Sequence, residues 1–342
     1  MQLTKSAGWA LALTSVAFFM TALDTLVVIT ALPAIHADFG GSVSTLEWTV
    51  NAYTLTLAAG IITGAALGDR FGRRRMYVAG LLLFTAASAA CALAPSAGLL
   101  IGARAVQGLG AALITPLSLT ILASAFPAER RGTVVGIMGA IGGLAIAGGP
   151  LVGGAVVDGP GWHWIFWLNV PIGLAAAALA MSRLPESRGP SARLDLPGAA
   201  MATAGAVALA WGLVRATDVS WGSPQVIGAL ILAAVLIAGF IAWERRASEP
   251  MLPLRLLRTP AFAAANATGF LMFASITSAA FMMAQYFQLG LGYTPLNTGL
   301  RFLPRTISGR DPILSASAPA AGAISSGVSV QGRKRRPVFS GV

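Results

Sequence analysis

The chain has few charges, almost no histidine and a single cysteine. Only 10% of its 342 residues are charged, whereas 56% are hydrophobic. A soluble domain of this size needs far more charge to cover its surface. The single thiol, Cys91, excludes an intrachain disulfide and a cysteine-based metal cluster. Two isolated histidines make a poor metal site, so we expect no metal and no cofactor.

Sequence patterns for nucleotide binding and hydrolysis are lacking as well. There is no P-loop, no dinucleotide-binding glycine fingerprint in a suitable context, no G-x-S-x-G and no H-E-x-x-H. A net charge of +11 would suggest nucleic-acid binding in a soluble protein. Here the arginines fall in alternate loops and in the terminal tail, which is a pattern of membrane topology. We therefore expect neither an enzyme nor a nucleic-acid-binding protein.

Long apolar runs are what the chain does have. Its mean hydropathy is +0.75, and runs of about 20 residues match the length that a helix needs to cross hydrocarbon. These runs predict an all-α, polytopic bundle of transmembrane helices. The spans are expected at approximately 8–34, 47–67, 76–94, 98–121, 133–157, 164–182, 196–214, 225–243 and 262–288.

The loops between these spans alternate between basic and nearly uncharged. Only Arg215 breaks the alternation. The positive-inside bias places the N-terminus and the basic loops in the cytoplasm of a multi-pass plasma-membrane protein. The basic loops contain Arg70, Arg73, Arg74 and Arg75, then Arg130 and Arg131, then Arg183, Arg188 and Arg193, and finally Arg245, Arg246, Arg255 and Arg258.

The same loops divide the chain into predicted domains. Residues 1–182 form a six-helix bundle, 183–195 a polar cytoplasmic loop, and 196–243 two linking spans. Residues 244–308 begin a second bundle that is incomplete, giving about three spans beyond the first six. Because no apolar run of spanning length follows, residues 309–342 are predicted to be a disordered or aberrant tail.

Two opposite charges stand inside the first six spans. Asp24 lies in the first span and Arg104 in the fourth. An intramembrane carboxylate costs about 2.5–3.5 kcal/mol on insertion scales, so it normally faces a cavity or a partner. Asp24 can therefore be a proton carrier or a structural hydrogen-bond acceptor. Arg104 keeps its charge and can tune that acid, bind an anion or pair with it for assembly. Gln107, one turn further on, is a candidate cavity-lining residue.

Several motifs resemble those of the major facilitator superfamily, and of its fourteen-helix drug:proton antiporter branch (EmrB/QacA-like). The signature loop of the family resembles G-D-R-F-G-R-R-R at 68–75, and its fourth-span motif resembles R-A-V-Q-G-L-G-A-A from Arg104 onward. Its antiporter motif resembles G-G-P-L-V-G-G at 148–154. The branch resemblance rests on 23–33, 161–173 and 288–304. In all it covers roughly residues 5–308.

This resemblance implies roles for individual residues. Asp69 would latch the outward-open state by docking on a second-half helix, and Gly72 would permit the tight turn. Arg104 would take part in proton coupling, with Asp24 as the membrane-embedded acid. The implied cytoplasmic gate contains Gly68, Asp69, Arg70, Gly72, Arg73 and Arg74. The implied antiporter helix motif contains Gly149, Pro150, Gly153 and Gly154.

The resemblance also implies a function, with alternatives. The chain would serve in a proton-coupled multidrug efflux antiporter whose partners are protons, the lipid bilayer and a small amphipathic or cationic substrate. Because the branch has fourteen spans, the chain is expected to be C-terminally truncated, and an incomplete second bundle can leave it inactive. Two alternatives remain: a facilitator or exporter of another small solute, or a non-transporting membrane fragment that packs against a partner chain. The substrate and the oligomeric state stay open.

Overall fold

The computed structural model describes residues 5–40, 43–189, 195–247, 258–294, 296–298 and 300–301. All regular secondary structure in these ranges is helical. The ten α-helices of the described ranges are α1 (Lys5–Phe39), α2 (Val43–Phe71), α3 (Arg73–Ala92), α4 (Ala97–Ala125), α5 (Ala128–Asp158), α6 (His163–Trp167), α7 (Asn169–Arg183), α8 (Leu196–Asp218), α9 (Pro224–Glu244) and α10 (Pro260–Gln285). A π-helical turn, Tyr286–Gly290, follows α10.

Nine helical segments of the described ranges are long and apolar enough to cross a membrane, with α6 and α7 together forming one of them. Each coincides with one of the nine runs expected from hydropathy, so the polytopic helical fold is confirmed. Several helices extend beyond the predicted bounds; α1, for example, reaches Phe39 rather than residue 34. Hydropathy marks only the stretch that hydrocarbon covers, whereas backbone hydrogen bonding continues the helix into the interface.

The sixth span is split because of a proline. α6 ends at Trp167 and α7 begins at Asn169, two residues before Pro171. Proline has no N–H, and its ring clashes with the carbonyl four residues earlier, which here belongs to Trp167. Other prolines are tolerated within a single helix: α1 runs through Pro33, and α5 continues unbroken through Pro150. Pro150 of the implied antiporter motif therefore does not end α5.

Helices α1 to α7 pack into one bundle. α4 packs against both α2 and α3, and α1 packs against α5. Two fully buried tyrosines fasten neighbouring helices to the backbone of α1. The Tyr53 hydroxyl donates to the Thr21 carbonyl at 3.2 Å, and the Tyr77 hydroxyl donates to the Leu13 carbonyl at 3.0 Å. Each hydroxyl is thereby satisfied inside an apolar core, where an unpaired one would be costly.

Helices α8 and α9 form a hairpin that joins the bundle through α2. The Thr203 hydroxyl of α8 donates to the Ala59 carbonyl of α2 at 3.2 Å. α10 contacts the bundle near its C-terminal end, where Phe281 and Ala284 pack against Leu26 and Ile29 of α1. The predicted tail, 309–342, and part of the predicted cytoplasmic loop, 190–194, lie outside the described residues. The domain division stays a prediction.

Candidate functional site

The two opposite charges of the apolar spans meet in the core of the bundle. Arg104 of α4 donates through Nη1 to Oδ2 of Asp24 of α1 at 2.5 Å. Arg104 has no exposed surface and Asp24 is 4% exposed. Removing two charges from water costs several kcal/mol per ion, which their attraction offsets only when further hydrogen bonds satisfy the remaining atoms.

Two amides supply those further hydrogen bonds to the carboxylate. Oδ1 of Asp24 accepts from Nε2 of Gln107 at 3.0 Å and from Nδ2 of Asn169 at 2.9 Å. Both amide nitrogens also donate to the Ser88 hydroxyl, at 3.3 Å and 3.1 Å. Ser88 in turn donates to the Phe166 carbonyl at 2.9 Å. The carboxylate therefore joins α1, α3, α4 and the sixth span in one buried network.

The guanidinium of Arg104 has partners other than the acid. Its Nε donates to the Thr49 carbonyl at 3.2 Å, and its Nη1 also donates to Oε1 of Gln107 at 2.7 Å. The guanidinium carbon lies 4.3 Å from the centre of the Tyr53 ring and 5.7 Å from that of Phe166. Its Nη2 is buried without a hydrogen-bond partner among the described residues. These contacts hold the cation in place independently of Asp24.

A cleft of about 500 Å³ reaches this network from the side of the bundle, between α1, α5 and the sixth span. Its polar lining consists of Ser15, Asp24 and Asn169, and its other lining residues are apolar. Leu144 and Leu168, which also line it, are 65% and 40% exposed. The cleft thus joins the buried ion pair to an apolar surface of the bundle.

The basic turn between α2 and α3 is a one-residue connection. Gly72 alone separates the two helices, and its φ of 108° lies where residues with a side chain are strained. Across the turn, Nε of Arg73 donates to Oδ1 of Asp69, four residues earlier in the sequence, at 2.8 Å. Asp69 is therefore already paired within its own loop in this structure.

Glu186, beyond the end of α7, closes over this turn. Its Oε1 accepts from the backbone N–H of Arg74 at 3.0 Å and from that of Ser187 at 3.1 Å. Its Oε2 lies 3.7 Å from Nε of both Arg74 and Arg75. Gly72, at the N-cap position of α3, makes no side-chain cap of its own. Glu186 therefore caps α3 from a position 112 residues away in the sequence.

The rest of the segment 184–189 reinforces that contact. A side chain at Gly72 would collide with the Glu186 carboxyl group, and one at Gly189 would collide with that of Asp69. The chain therefore needs small residues on both sides of the contact. Further bonds join Arg74 Nη1 to the Leu184 carbonyl at 3.1 Å, Arg73 N to the Ser187 carbonyl at 2.8 Å, and Gly189 N to the Asp69 carbonyl at 3.2 Å.

The glycines of α5 fall into two groups. A Cβ on Gly149 would lie 2.7 Å from Cβ of Leu26, and a Cβ on Gly153 would meet the Thr30 hydroxyl of α1. These two positions let the backbones of α1 and α5 approach closely. By contrast, a Cβ would meet nothing within 4 Å at Gly136, Gly139, Gly143 and Gly148. Gly142 is intermediate, because a Cβ there would lie 3.1 Å from the Phe18 ring of α1, so the tightest approach of α1 and α5 is at Gly149 and Gly153.

The motifs and the nine apolar spans of the described ranges agree with one protein family. The sequence profile of the Major Facilitator Superfamily matches residues 14–337. The chain belongs to the Major Facilitator Superfamily. Together with the nine long apolar helices of the described ranges, this membership makes it a multi-pass membrane protein.

Several relatives in this superfamily carry names of resistance or export proteins. The multidrug resistance protein Stp of Mycobacterium tuberculosis (strain CDC 1551 / Oshkosh) is 39% identical over 293 residues, covering 85% of this chain and 55% of the relative. The tetracenomycin C resistance and export protein of Streptomyces glaucescens is 35% identical over 294 residues, with the same two coverages of 85% and 55%. The chain thus spans about half the length of the curated relatives it matches, and it resembles drug-efflux proteins.

Solved structures agree on the fold. A peptide transporter POT in complex with sulfate has a TM-score of 0.62 at 17% identity, covering 92% of this chain and 69% of the other. A double-tryptophan mutant of XylE has a TM-score of 0.59 at 16% identity, covering 95% and 70%. At these identities the likeness concerns the fold alone.

The structure brings three of the predicted site residues together. Asp24, Arg104 and Gln107 share one network, although Gln107 is buried behind Asp24 and is not among the residues that line the cleft. Of the predicted gate residues, Arg70 lies apart from the Glu186 contact, with its guanidinium 5.4 Å from the Phe71 ring. Their functional roles stay predictions.

Sequence reasoning missed three residues of these sites: Ser88, Asn169 and Glu186. Asn169 is a polar residue within the apolar run W-L-N-V-P-I-G, and intramembrane polar residues are candidates for functional sites by default. That signal was sufficient to find it. Ser88 has no such signal, because serine is common at helix contacts in membranes. Glu186 lies in a polar loop, where a carboxylate is unremarkable.

We expect Glu186→Ala to destabilise the protein by roughly 0.5–2 kcal/mol, which is the usual cost of removing a helix cap. The N–H of Arg74 would lose its acceptor, so hydrogen exchange at the start of α3 should accelerate. Both effects can be measured, by denaturant titration in a mild detergent and by exchange mass spectrometry.

A suitable control for this variant is Glu129→Ala, which removes an exposed acid from the first turn of α5. Its effect should stay within about 0.5 kcal/mol, as for most surface substitutions. Equal exchange at Arg74 in both variants would contradict the capping role of Glu186.

Proposed function

We propose that this chain serves in proton-coupled export of small amphipathic compounds across the plasma membrane, with its N-terminus in the cytoplasm. The observation that carries the proposal is the buried carboxylate of Asp24 in the first span, which is paired with Arg104 and borders a cleft. An acid within the membrane that faces a cavity is typical of proton relays in transporters. The names of the relatives and the branch motifs at 23–33 and 161–173 support assignment to the fourteen-helix drug:proton branch.

Protonation of Asp24 is the proposed coupling step. The carboxylate accepts hydrogen bonds from α4 and from α7 while it is charged. A proton on it would remove the Coulomb attraction to Arg104, whose guanidinium stays charged at any relevant pH. Thr49, Gln107 and Tyr53 would keep Arg104 in place, so the contact that weakens is the one between α1 and α4. The occupancy of a single proton site would thereby alter helix packing around the cleft.

The basic turn is the proposed cytoplasmic gate. Asp69 is bonded to Arg73 in this structure, so docking it on another helix would require that bond to be exchanged. Ion pairs of partly exposed groups are weak, usually below about 1 kcal/mol, which makes such an exchange inexpensive. The Glu186 contact would keep α3 capped while Asp69 changes partner.

Inward movement of each proton charge would supply about 2.3 kcal/mol per 100 mV of membrane potential.

Transport in everted membrane vesicles tests this proposal. We expect an imposed proton gradient to drive uptake of an amphipathic fluorescent dye, and a protonophore to abolish that uptake. Asp24→Asn should reduce gradient-driven uptake by at least about tenfold, because an amide cannot carry the proton.

Asp38→Asn is the matched control on the same helix. Asp38 accepts from Nε1 of Trp162, and the carbonyl of asparagine can still accept that bond. Uptake by this variant should therefore equal that of the parent chain. Gradient-driven uptake that survives Asp24→Asn unchanged would refute the coupling role of Asp24. Uptake that is insensitive to the gradient in the parent chain would refute proton-coupled export.

A further inference from the structure

The polar floor of the cleft consists of Ser15, Asp24 and Asn169. Together with Arg104, which pairs with Asp24, this floor carries no net charge. Asp24 is the only ionisable residue that lines it, and that carboxylate is already paired with Arg104. Gln107 and Asn169 supply two more donors to the same carboxylate. A cation that entered the cleft would meet a carboxylate already neutralised by Arg104, with the positive guanidinium close behind it. Attraction to the site would therefore not offset the cost of removing the cation from water.

The side-chain amide of Asn169 keeps one hydrogen-bonding atom available to the cleft. The two recorded hydrogen bonds of the Asn169 side chain both use Nδ2, which donates to Asp24 and Ser88. A carboxylate can only accept, so the amide nitrogen must face Asp24. The other end of the amide, Oδ1, then takes no hydrogen bond from the described residues. Asn169 thus offers the cleft an acceptor without a charge.

The walls and the mouth of the cleft also favour an uncharged ligand. Leu144, Leu168 and Ile172, which line it, are 65%, 40% and 42% exposed on the side of the bundle. These residues belong to helices that are long and apolar enough to cross a membrane, so the mouth of the cleft is apolar and lies at the depth of the hydrocarbon. A charged group pays several kcal/mol to enter hydrocarbon, whereas a neutral apolar compound concentrates there.

We propose that the cleft between α1, α5 and α7 binds neutral amphiphiles with an apolar body and one hydrogen-bond donor, in preference to cations. The apolar body occupies the cleft, and the donor bonds to Oδ1 of Asn169. This rests on the proposed function, because it names the substrate class of the same site. It narrows that class by excluding permanent cations as the preferred ligands.

Three probes of similar shape test the proposal: triphenylmethanol, which is neutral with one O–H donor, triphenylmethane, which lacks the donor, and tetraphenylphosphonium, a permanent cation. Equilibrium dialysis of each radiolabelled probe against the purified chain in detergent measures its binding. We expect triphenylmethanol to bind about fivefold more tightly than triphenylmethane, as one hydrogen bond allows. Tetraphenylphosphonium should bind at least about tenfold more weakly than triphenylmethanol.

Two tryptophan substitutions separate binding in the cleft from partition into the micelle. Leu168→Trp places a larger side chain in the cleft lining, whereas Leu174→Trp changes an exposed residue of α7 that does not line the cleft. Binding of triphenylmethanol should be lost in the first variant and retained in the second. Equal binding in both, or tetraphenylphosphonium binding as tightly as triphenylmethanol, would overturn the proposal. Because dialysis needs no proton gradient, binding can fail or succeed independently of coupled transport.

Discussion

Replacing Arg104 by leucine should destabilise the protein by roughly 3–5 kcal/mol, because the substitution leaves the carboxylate of Asp24 buried without a cation. The Thr49 carbonyl and Oε1 of Gln107 lose a donor at the same time. The effect should be visible as a lower denaturation midpoint in a mild detergent. Arg130→Leu, which removes an exposed arginine at the start of α5, should change stability by no more than about 0.5 kcal/mol.

A double substitution identifies the source of this loss. Asp24→Leu combined with Arg104→Leu removes both charges, and buried pairs replaced together by apolar residues often cost little. The double variant should therefore be more stable than Arg104→Leu alone. If the stability changes of Asp24→Leu alone and Arg104→Leu alone simply add in the double variant, the two side chains do not interact in the folded protein.

The pairing of Asp24 with Arg104 illustrates how far the sequence leads. Both charges stand in apolar runs, and desolvation alone predicts that each needs a partner. Because they are the only opposite charges well inside the first six spans, the sequence offers their pairing as one option. The sequence does not contain the rotation of α1 relative to α4, which decides whether the two side chains meet. That rotation follows from the packing of α1 against α4 and α5 in the folded bundle.

The remaining parts of the site depend on contacts between distant segments. Asn169 is recognisable as a polar residue in an apolar run, but its two bonds depend on how the sixth span turns at Pro171. The Glu186 cap on α3 joins residues 112 positions apart, and nothing in either segment predicts the partner. Local patterns therefore predict which helices form, whereas the hydrogen-bond partners follow from packing that only the folded chain defines.

Gly110→Ala should strongly destabilise the contact between α3 and α4. A Cβ at this position would lie 2.6 Å from the backbone nitrogen of Phe84 and 2.8 Å from its Cα. A backbone cannot move aside as a flexible side chain can, so α3 and α4 would have to separate around the fully buried Phe84. Overpacking of this kind costs about 1–3 kcal/mol and occasionally more. We expect a loss at the upper end of that range in denaturant titration.

The same helix provides the control, since a Cβ on Gly102 would meet nothing within 4 Å. Gly102→Ala should leave stability unchanged or raise it by up to about 1 kcal/mol, through the better helix propensity of alanine. Phe84→Ala should not rescue Gly110→Ala, because two of the three nearest atoms belong to the backbone. Equal stability of Gly110→Ala and Gly102→Ala would mean that α3 and α4 pack less closely than the structure shows. A rescue by Phe84→Ala would mean that removal of the ring lets α3 shift away from the added methyl group, since N, Cα and Cβ of residue 84 remain in alanine.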